Sequence, residues 1–496
     1  MTHDPVDVGG PAADAAAGLT AAGGGDRAIR GGTLRILGYA IGLVATAAAS
    51  VVLLRDLSVA AFGRYTVVSA LLAIVTALSD AGLTAVGQRA YVRARSAQER
   101  RDLMRGLLGL RIALTPVVAA VAVGFSVVAG YTAEQVVATV IGSAALVLTN
   151  AAVTLILPLS VRMNLGRVTA VDVSRQIVLM IGLAALAASG ASFVVLFFAY
   201  IASGIATVAV AIAVSDRGDR VAPSFDPALW RTLGGQAIPL ALGSAVNIVY
   251  LRLLVILVSL LTTAHATGIF GASYRIVEIF TGVPLLMAGA IFPLLAHAGR
   301  EDEERLAYML QRTAETSLLL GVGAAVTLSL AARPVLQILG GIRYGGSATI
   351  LSLQAFALIG TFLTQVWVFG LIAVDRQRGV AQVNAVGVIV VIVLGLTLIP
   401  LAGARGAAIA AIFGEAALAL SALILLVRAR PRLRPAPGRF LRILLAGALA
   451  LACGLLPVPA LVRAVVAVAV YAGAVIALRA YPPEFLQAFG FRRRRA

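Results

Sequence analysis

Fourteen apolar runs, most of them about twenty residues long, follow one another along this chain of 496 residues. A helix of about 20 apolar residues crosses the hydrocarbon core of a bilayer, so each run predicts a transmembrane helix. Only 12% of the residues are charged, against about 25% in soluble domains, which excludes a water-soluble protein. The predicted spans are residues 33–54, 65–88, 106–129, 134–158, 173–190, 193–214, 233–262, 266–296, 313–332, 346–373, 379–401, 404–427, 441–457 and 460–479.

The arginines predict how these spans are oriented. All 40 basic residues are arginine, and with the N-terminus inside, 32 of them fall on the cytoplasmic side and six on the outer side. Arg111 and Arg175 belong to the cytoplasmic group, whereas Arg252 and Arg275 fall within spans. Basic residues are concentrated in cytoplasmic loops, so we predict a multi-pass protein of the bacterial plasma membrane with both termini in the cytoplasm.

The composition also excludes several kinds of chemistry. Without lysine the chain cannot form a P-loop ATPase site or a Schiff base. Cys453 is the one cysteine, and the three histidines lie far apart, so we expect no metal site, no catalytic residues and no bound cofactor. The net charge of +18 comes from arginines in the short loops between apolar spans. This distribution is typical of membrane topology and does not predict nucleic-acid binding. An intramembrane enzyme would need paired acids in one cavity, and the acids are scattered; a scaffold role also stays open.

The spans divide into an all-α architecture of two six-helix bundles and two further C-terminal helices. We predict a disordered cytoplasmic tail over 1–30, bundles over 31–215 and 233–428 with a cytoplasmic linker at 216–232, helices 13 and 14 over 440–480, and a basic cytoplasmic tail over 481–496.

A short internal repeat supports this division. Ala61-Phe62-Gly63-Arg64-Tyr65 aligns with Ala266-Thr267-Gly268-Ile269-Phe270 at an offset of 205 residues. The shared pattern, with Gly63 and Tyr65 matching Gly268 and Phe270, opens span 2 in one half and span 8 in the other. Two halves related in this way are typical of alternating-access carriers, whose site lies between the halves. The alternative is a glycine shared by two tight turns.

Three stretches carry a resemblance to a known family. They are Ala61 to Tyr65; Leu78-Ser79-Asp80-Ala81-Gly82-Leu83 with Gln88-Arg89; and Thr267 to Phe270 with Tyr274-Arg275. On these residues and the topology, the chain resembles the polysaccharide-transport branch, the Wzx-like flippases, of the multidrug/oligosaccharidyl-lipid/polysaccharide (MOP) exporter superfamily. Many relatives have an acidic residue before the outer glycine. Phe62 and Thr267 stand there in this chain, so no role of that acid is carried over.

The resemblance implies a MATE-like fold and a flippase that moves lipid-linked sugars, undecaprenyl-pyrophosphate oligosaccharides, to the outer leaflet for surface polysaccharide and O-antigen synthesis. Glycosyltransferases and a polymerase of that pathway would be its partners. Two alternatives stay open: a flippase for lipid II, the peptidoglycan precursor, and a MATE-type antiporter of drugs or cations.

Three charged residues inside spans form the candidate substrate site. Arg252 and Arg275 both lie roughly 14–15 Å below the outer surface at 1.5 Å per residue, and Glu278 follows Arg275 by three residues on the same helix face. Because arginine binds phosphate oxygens with two parallel hydrogen bonds, the sequence predicts a site for an anionic headgroup. A buried ion network that only fixes helix register is the alternative.

Two acids are candidates for coupling transport to a proton or sodium gradient. Asp80 lies on a polar stripe with Thr76 and Thr84. Gly82 suggests that Asp80 instead caps a broken helix there, and Arg89 could also pair with it. Glu415 could line the central cavity with Gln354, Thr361 and Gln365. Such residues also serve as contacts between helices. The basic segment Arg89–Arg105 favours attraction to anionic membrane lipids over a protein partner.

Overall fold

The computed structural model describes residues 24–80 and 82–481, and over these ranges all regular structure is helical. Seventeen α-helices follow one another. They are α1 (Gly24–Asp56), α2 (Val59–Asp80), α3 (Leu83–Arg93), α4 (Ala97–Val128), α5 (Ala133–Leu155), α6 (Leu157–Val161), α7 (Leu165–Ala188), α8 (Phe198–Val214), α9 (Pro227–Leu261), α10 (Ala264–Glu301), α11 (Glu303–Gly340), α12 (Ser347–Gln354), α13 (Ala357–Ala373), α14 (Gln377–Ala402), α15 (Ala404–Ala429), α16 (Pro437–Ala452) and α17 (Ala460–Ala477).

These helices cover the fourteen predicted spans. Within the described residues, twelve helical stretches are long and apolar enough to cross a membrane, and some of them join two consecutive helices. The apolar part of α9, Val246–Leu261, forms a shorter stretch, and α1 occupies the first predicted span. The predicted all-α membrane fold of about fourteen helices is therefore confirmed.

The helices pack mainly within two groups. In the first half, α1 packs on α7, α7 on α8, α8 on α5, and α5 on both α2 and α4. In the second half, α9 packs on α14, α14 on α15, α15 on α13, and α13 on both α10 and α11. The two C-terminal helices α16 and α17 pack on each other and on α11. The two groups meet where α2 contacts α9 and α10.

The repeated glycines lie at this junction. A Cβ atom added to Gly63 would come within 2.1 Å of the Ala264 carbonyl oxygen, and one added to Gly268 within 1.9 Å of the Val59 carbonyl oxygen. Ala264 and Val59 are themselves 205 residues apart, so the two contacts are equivalent. Only glycine allows the backbones of α2 and α10 to approach so closely. The repeat therefore marks a symmetric helix crossing rather than two unrelated turns.

Several helix boundaries differ from the predicted spans because helices continue past the apolar region into polar sequence. α7 starts at Leu165 instead of 173, and α1 starts at Gly24, inside the predicted tail of residues 1–30. Residues 1–23 of that tail, and all of the predicted basic tail 481–496 except Tyr481, lie outside the described residues. The span predicted at 65–88 is two helices, because Gly82 between them adopts a left-handed conformation with φ of 73°.

Candidate substrate site between the two halves

Arg252, Arg275 and Glu278 form one ion-paired cluster, hereafter the Arg–Arg–Glu cluster. Arg252 Nη2 on α9 lies 2.7 Å from Glu278 Oε1, and Arg275 Nη1 lies 3.0 Å from Glu278 Oε2 on the same helix, α10. A hydrogen bond of 2.5 Å from the Tyr274 hydroxyl to the Leu251 carbonyl oxygen joins the two helices beside it. One carboxylate thus faces two guanidinium groups, which leaves a net charge of +1 inside the membrane-spanning part.

The cluster stands where three cavities meet, and its side chains stay between 21 and 27% exposed. Arg252 and Arg275 line the first-half cavity, about 380 Å³, which lies among α2, α5, α7 and α8. Arg275 and Glu278 line the α1 cavity, about 280 Å³, beside α1 and α7. Glu278 also lines the second-half cavity, about 110 Å³, among α9, α10, α13 and α15. The charged groups of the cluster are therefore accessible from these three cavities.

The first-half cavity also contains a third arginine, Arg175, which the Arg distribution counted with the cytoplasmic group. Arg175 lies within α7 and lines this cavity together with Asp172. It was not predicted as a site residue, because it stands only two residues inside the predicted span that begins at 173. The Asp172-x-x-Arg175 spacing puts both charges on one helix face, and this spacing is the sequence feature from which a polar cavity wall could have been predicted. The other polar side chains of this cavity are Ser69, Thr76, Thr149, Asn150, Tyr200, Ser203 and Thr207.

The aromatic residues of the repeat support the walls of the site. The Tyr65 hydroxyl lies 2.8 Å from that of Tyr200, which lines the first-half cavity. Its counterpart Phe270 is fully buried and stacks on Tyr274, with ring centroids 6.1 Å apart. Tyr65 therefore positions Tyr200, and Phe270 positions Tyr274, in the walls of the cavities.

Asp80 forms an ion pair, with Arg111 rather than with Arg89. Its Oδ1 lies 2.5 Å from Arg111 Nη2 and accepts a hydrogen bond of 2.5 Å from the Thr84 hydroxyl. Arg111, assigned to the cytoplasmic side, is only 1% exposed, and Nη1 donates to Thr154 Oγ1 at 3.3 Å. The polar stripe is interrupted at Gly82, so Asp80 ends α2 and holds the buried arginine of α4.

Glu415 occupies the second-half cavity with the residues predicted to accompany it. Gln354 and Thr361 line the same cavity, whereas Gln365 does not. The Tyr250 hydroxyl donates a hydrogen bond of 2.9 Å to Glu415 Oε1. No arginine of the described part of the chain forms an ion pair with Glu415 in the way that Arg111 does with Asp80. The same cavity reaches Glu278, so a single space connects Glu415 with the Arg–Arg–Glu cluster.

Comparison with known families decides where the chain belongs. A family model described as "Polysaccharide biosynthesis protein" matches residues 29–298, which is more than half of the chain. The chain belongs to the polysaccharide biosynthesis protein family. No curated protein matches it.

Solved structures with the same fold come from transporters. One described as lipid II flippase MurJ, in an inward closed conformation, covers 90% of this chain and 99% of its own, with a TM-score of 0.72 and 13% identity. An inward-facing MATE-family multidrug resistance transporter of the MOP superfamily covers 80% and 98%, with a TM-score of 0.61 and 14% identity. A MOP superfamily transporter from Pyrococcus furiosus, described as having a binding pocket of reverse polarity, covers 82% of this chain and 95% of its own. Its TM-score is 0.56 and its sequence identity is 14%.

These matches settle the fold of this family member. They confirm the predicted MATE/MOP-like architecture and the resemblance to the polysaccharide-transport branch of the superfamily. At 13–14% identity they do not identify the molecule that this chain carries, which has to be argued from its own side chains. Within the residues described, no group of three His, Cys, Asp or Glu side chains is arranged to hold a metal ion.

Proposed function

We propose that this protein is a flippase that moves undecaprenyl-pyrophosphate-linked oligosaccharides from the inner to the outer leaflet of the plasma membrane. The observation that carries the proposal is the Arg–Arg–Glu cluster, with two guanidinium groups on one carboxylate beside three cavities. A diphosphate cannot cross hydrocarbon without compensation of its charge. Arginine supplies that compensation with a planar pair of donors that stays charged at every physiological pH.

Glu278 gives the cluster a way to open. In the substrate-free state its two oxygens each hold one arginine, at 2.7 and 3.0 Å. A diphosphate offers more negative oxygens than the carboxylate, so it can take over both guanidinium groups while Glu278 turns toward the second-half cavity, which it already lines. Binding would then weaken the link between α9 and α10, two helices of the same half.

The first-half cavity suits a sugar. Its polar lining includes four hydroxyl-bearing threonine and tyrosine side chains, together with serines and an asparagine. Hydroxyl and amide groups both donate and accept hydrogen bonds, as sugar hydroxyls require. Arg175 and Asp172 add charged hydrogen-bonding groups to the same wall. In this proposal the oligosaccharide fills the first-half cavity, and the diphosphate lies at its border on Arg252 and Arg275.

Contacts between the halves support a conformation closed at one end. Near the Gly63–Gly268 crossing, Arg55 Nη2 donates to the Ile338 carbonyl oxygen at 2.8 Å, and Arg343 donates to the carbonyl oxygen of Arg55. The hydroxyls of Tyr131 and Ser259 lie 2.7 Å apart. These contacts lie at the end predicted to face outward. Their rupture would accompany opening to the outer leaflet in an alternating-access cycle.

The lipid II flippase stays a second candidate because it needs the same anionic chemistry. Lipid II also carries a diphosphate on a polyprenyl lipid, and the structure described as a lipid II flippase matches 90% of this chain. A cationic drug is disfavoured, because the cluster carries a net positive charge.

A reconstituted transport assay distinguishes the three candidate substrate classes. Purified protein is placed in vesicles that contain a fluorescent undecaprenyl-pyrophosphate oligosaccharide, lipid II, or a lipophilic cation, and arrival in the opposite leaflet is measured by quenching. The proposal expects saturable movement of the oligosaccharide lipid, with lipid II moved more slowly. Faster movement of lipid II would support the second candidate, and movement of the cation alone would refute both.

A further inference from the structure

A second arginine-lined pocket lies away from the central cavities, on the arginine-rich face predicted to be cytoplasmic. It has a volume of about 170 Å³ and shares no lining residue with the three cavities of the candidate site. Its walls come from the end of α3, the start of α4, the turn between α6 and α7, and the segment before α9. The lining residues with polar or charged groups are Tyr91, Arg100, Arg101, Arg162 and Asp219.

Arg100 is fixed in this pocket but incompletely hydrogen-bonded. Its guanidinium carbon lies 5.5 Å from the centroid of the Tyr91 ring, and Nη2 donates to the Ala94 carbonyl oxygen at 3.3 Å. Its Nε is buried and has no hydrogen-bond partner among the described residues. A buried N–H without an acceptor costs about 1–3 kcal/mol, so the chain satisfies this guanidinium group only in part.

Arg162 lines the pocket and is followed by a strained residue. The next residue, Met163, is a non-glycine residue with φ of 56°, in the left-handed region, which costs of order 1–3 kcal/mol. Arg162 Nη1 and Nη2 hold the two oxygens of Asp219 at 2.8 and 3.2 Å, and Nη2 also donates to the Tyr91 hydroxyl at 3.3 Å. Arg162 Nη1 also donates to Asp216 Oδ2 at 2.9 Å, so Asp219 and Asp216 balance Arg162 and not the other two arginines.

The pocket consequently has an excess of positive charge with free donors. Arg101 is exposed, and its Nε donates a hydrogen bond of 3.3 Å to the Gly218 carbonyl oxygen. Asp219 is the one carboxylate among the lining residues. With Asp216, which Arg162 shares with Arg167, four arginines against two acids leave a charge of +2. The volume is sufficient for a phosphate group with a small substituent and excludes an oligosaccharide.

We infer that this pocket is a binding site for a phosphate group, held by Arg100 and Arg101 and oriented by Arg162. Two sources share this chemistry: a soluble phosphate compound and the headgroup of an anionic phospholipid. Val92 and Met163, next in sequence to pocket residues, expose 62 and 63% of their surface, as expected for side chains that touch a lipid surface. A ligand here would connect α4 with the segment before α9.

The test measures binding of two probes, inorganic phosphate and dioctanoyl phosphatidylglycerol, to the full-length protein in neutral detergent by calorimetry. The Arg100→Ala/Arg101→Ala variant removes two pocket charges. Its matched control, Arg93→Ala/Arg95→Ala, removes two exposed charges from the same segment outside the pocket. We expect the pocket variant to lose affinity at least tenfold and the control less than twofold. Arg101→Gln, which removes one exposed charge, should show an intermediate loss if the double variant is unstable.

The two probes distinguish the sources, and an Arg275→Ala background separates this site from the central one. Binding of both probes supports a phosphate site of general use, and binding of the phospholipid alone supports a headgroup site. Either binding should persist with Arg275→Ala, because Arg275 lines other cavities. Equal losses in the pocket and control variants, or no saturable binding of either probe, overturn the inference, whatever substrate the central site transports.

Discussion

Thr66 on α2 and Gly271 on α10 occupy equivalent positions in the two halves, 205 residues apart, and lie directly against each other. A Cβ atom on Gly271 would come within 2.7 Å of Thr66 Oγ1. Together with the reciprocal contacts of Gly63 and Gly268, this pair makes the crossing of α2 and α10 a set of equivalent contacts between the two halves. In the alternating-access cycle proposed above, this crossing would be the pivot.

The first prediction concerns this crossing. Gly268→Ala would place a methyl group 1.9 Å from the Val59 carbonyl oxygen, and backbone cannot move as a flexible side chain can. We expect a loss of about 1–3 kcal/mol in stability, typical of overpacking, seen as a lower Tm, and slower transport. Gly289→Ala, on the same helix with nothing within 4 Å, is the control. Equal Tm values for the two variants would show that α2 and α10 are not in close contact.

The second prediction distinguishes a structural role of Asp80 from a role in coupling transport to an ion gradient. Asp80→Asn leaves the buried Arg111 guanidinium without its charge partner. Removal of one member of a buried pair costs about 3–5 kcal/mol, and the 37% exposure of Asp80 reduces the expected loss to about 2 kcal/mol. Thermal unfolding in detergent measures it.

The double variant Asp80→Asn/Arg111→Met supplies the decisive comparison for Asp80. It removes both charges and should restore most of the Tm, because an apolar side chain of similar length can fill the site of the buried arginine. If the pair is structural, gradient-driven transport returns together with stability. A stable double variant that has lost its response to an imposed gradient would instead make Asp80 a coupling residue.

The third prediction tests whether Glu278 competes with the substrate. Glu278→Gln removes the charge that holds Arg252 and Arg275, so inorganic pyrophosphate should bind about tenfold more tightly, a difference of about 1.4 kcal/mol. Transport should slow because release becomes harder. Calorimetry measures the affinity, with Glu134→Gln, whose carboxylate pairs with Arg64 away from the cavities, as the control. Weaker binding in Glu278→Gln would mean that Glu278 only positions the arginines.

The fourth prediction concerns Glu415, which we propose as the group that binds the coupling proton or sodium ion. Glu415→Gln keeps the hydrogen bond from Tyr250 possible but removes the charge. Transport in vesicles should no longer accelerate when a proton or sodium gradient is imposed, whereas pyrophosphate binding changes less than twofold. Tyr250→Phe, which removes the hydroxyl and leaves the carboxylate, should retain the acceleration. An unaltered response of Glu415→Gln to both gradients would contradict the assignment.

Sequence patterns predicted the architecture well because apolar runs mark the hydrocarbon core directly. For the same reason Arg252, Arg275 and Glu278 were conspicuous: each interrupts a long apolar run. The burial of Arg111 and the cavity position of Arg175 were not predicted, because both stand near the ends of runs, where hydropathy no longer distinguishes membrane from loop. The partner of Asp80 could not be found either, since the contact joins α2 to α4 across 31 residues of sequence.

The role of the Arg–Arg–Glu cluster is tested most directly by vesicle transport of a labelled undecaprenyl-pyrophosphate oligosaccharide. Arg252→Ala and Arg275→Ala are compared with Arg64→Ala, which removes an ion-paired arginine that lines none of the three cavities. Each variant is first shown to be folded by its Tm. We predict at least a tenfold slower translocation for Arg252→Ala and Arg275→Ala and less than a twofold change for Arg64→Ala. Unchanged translocation in folded Arg252→Ala and Arg275→Ala would contradict a role of the cluster in substrate binding.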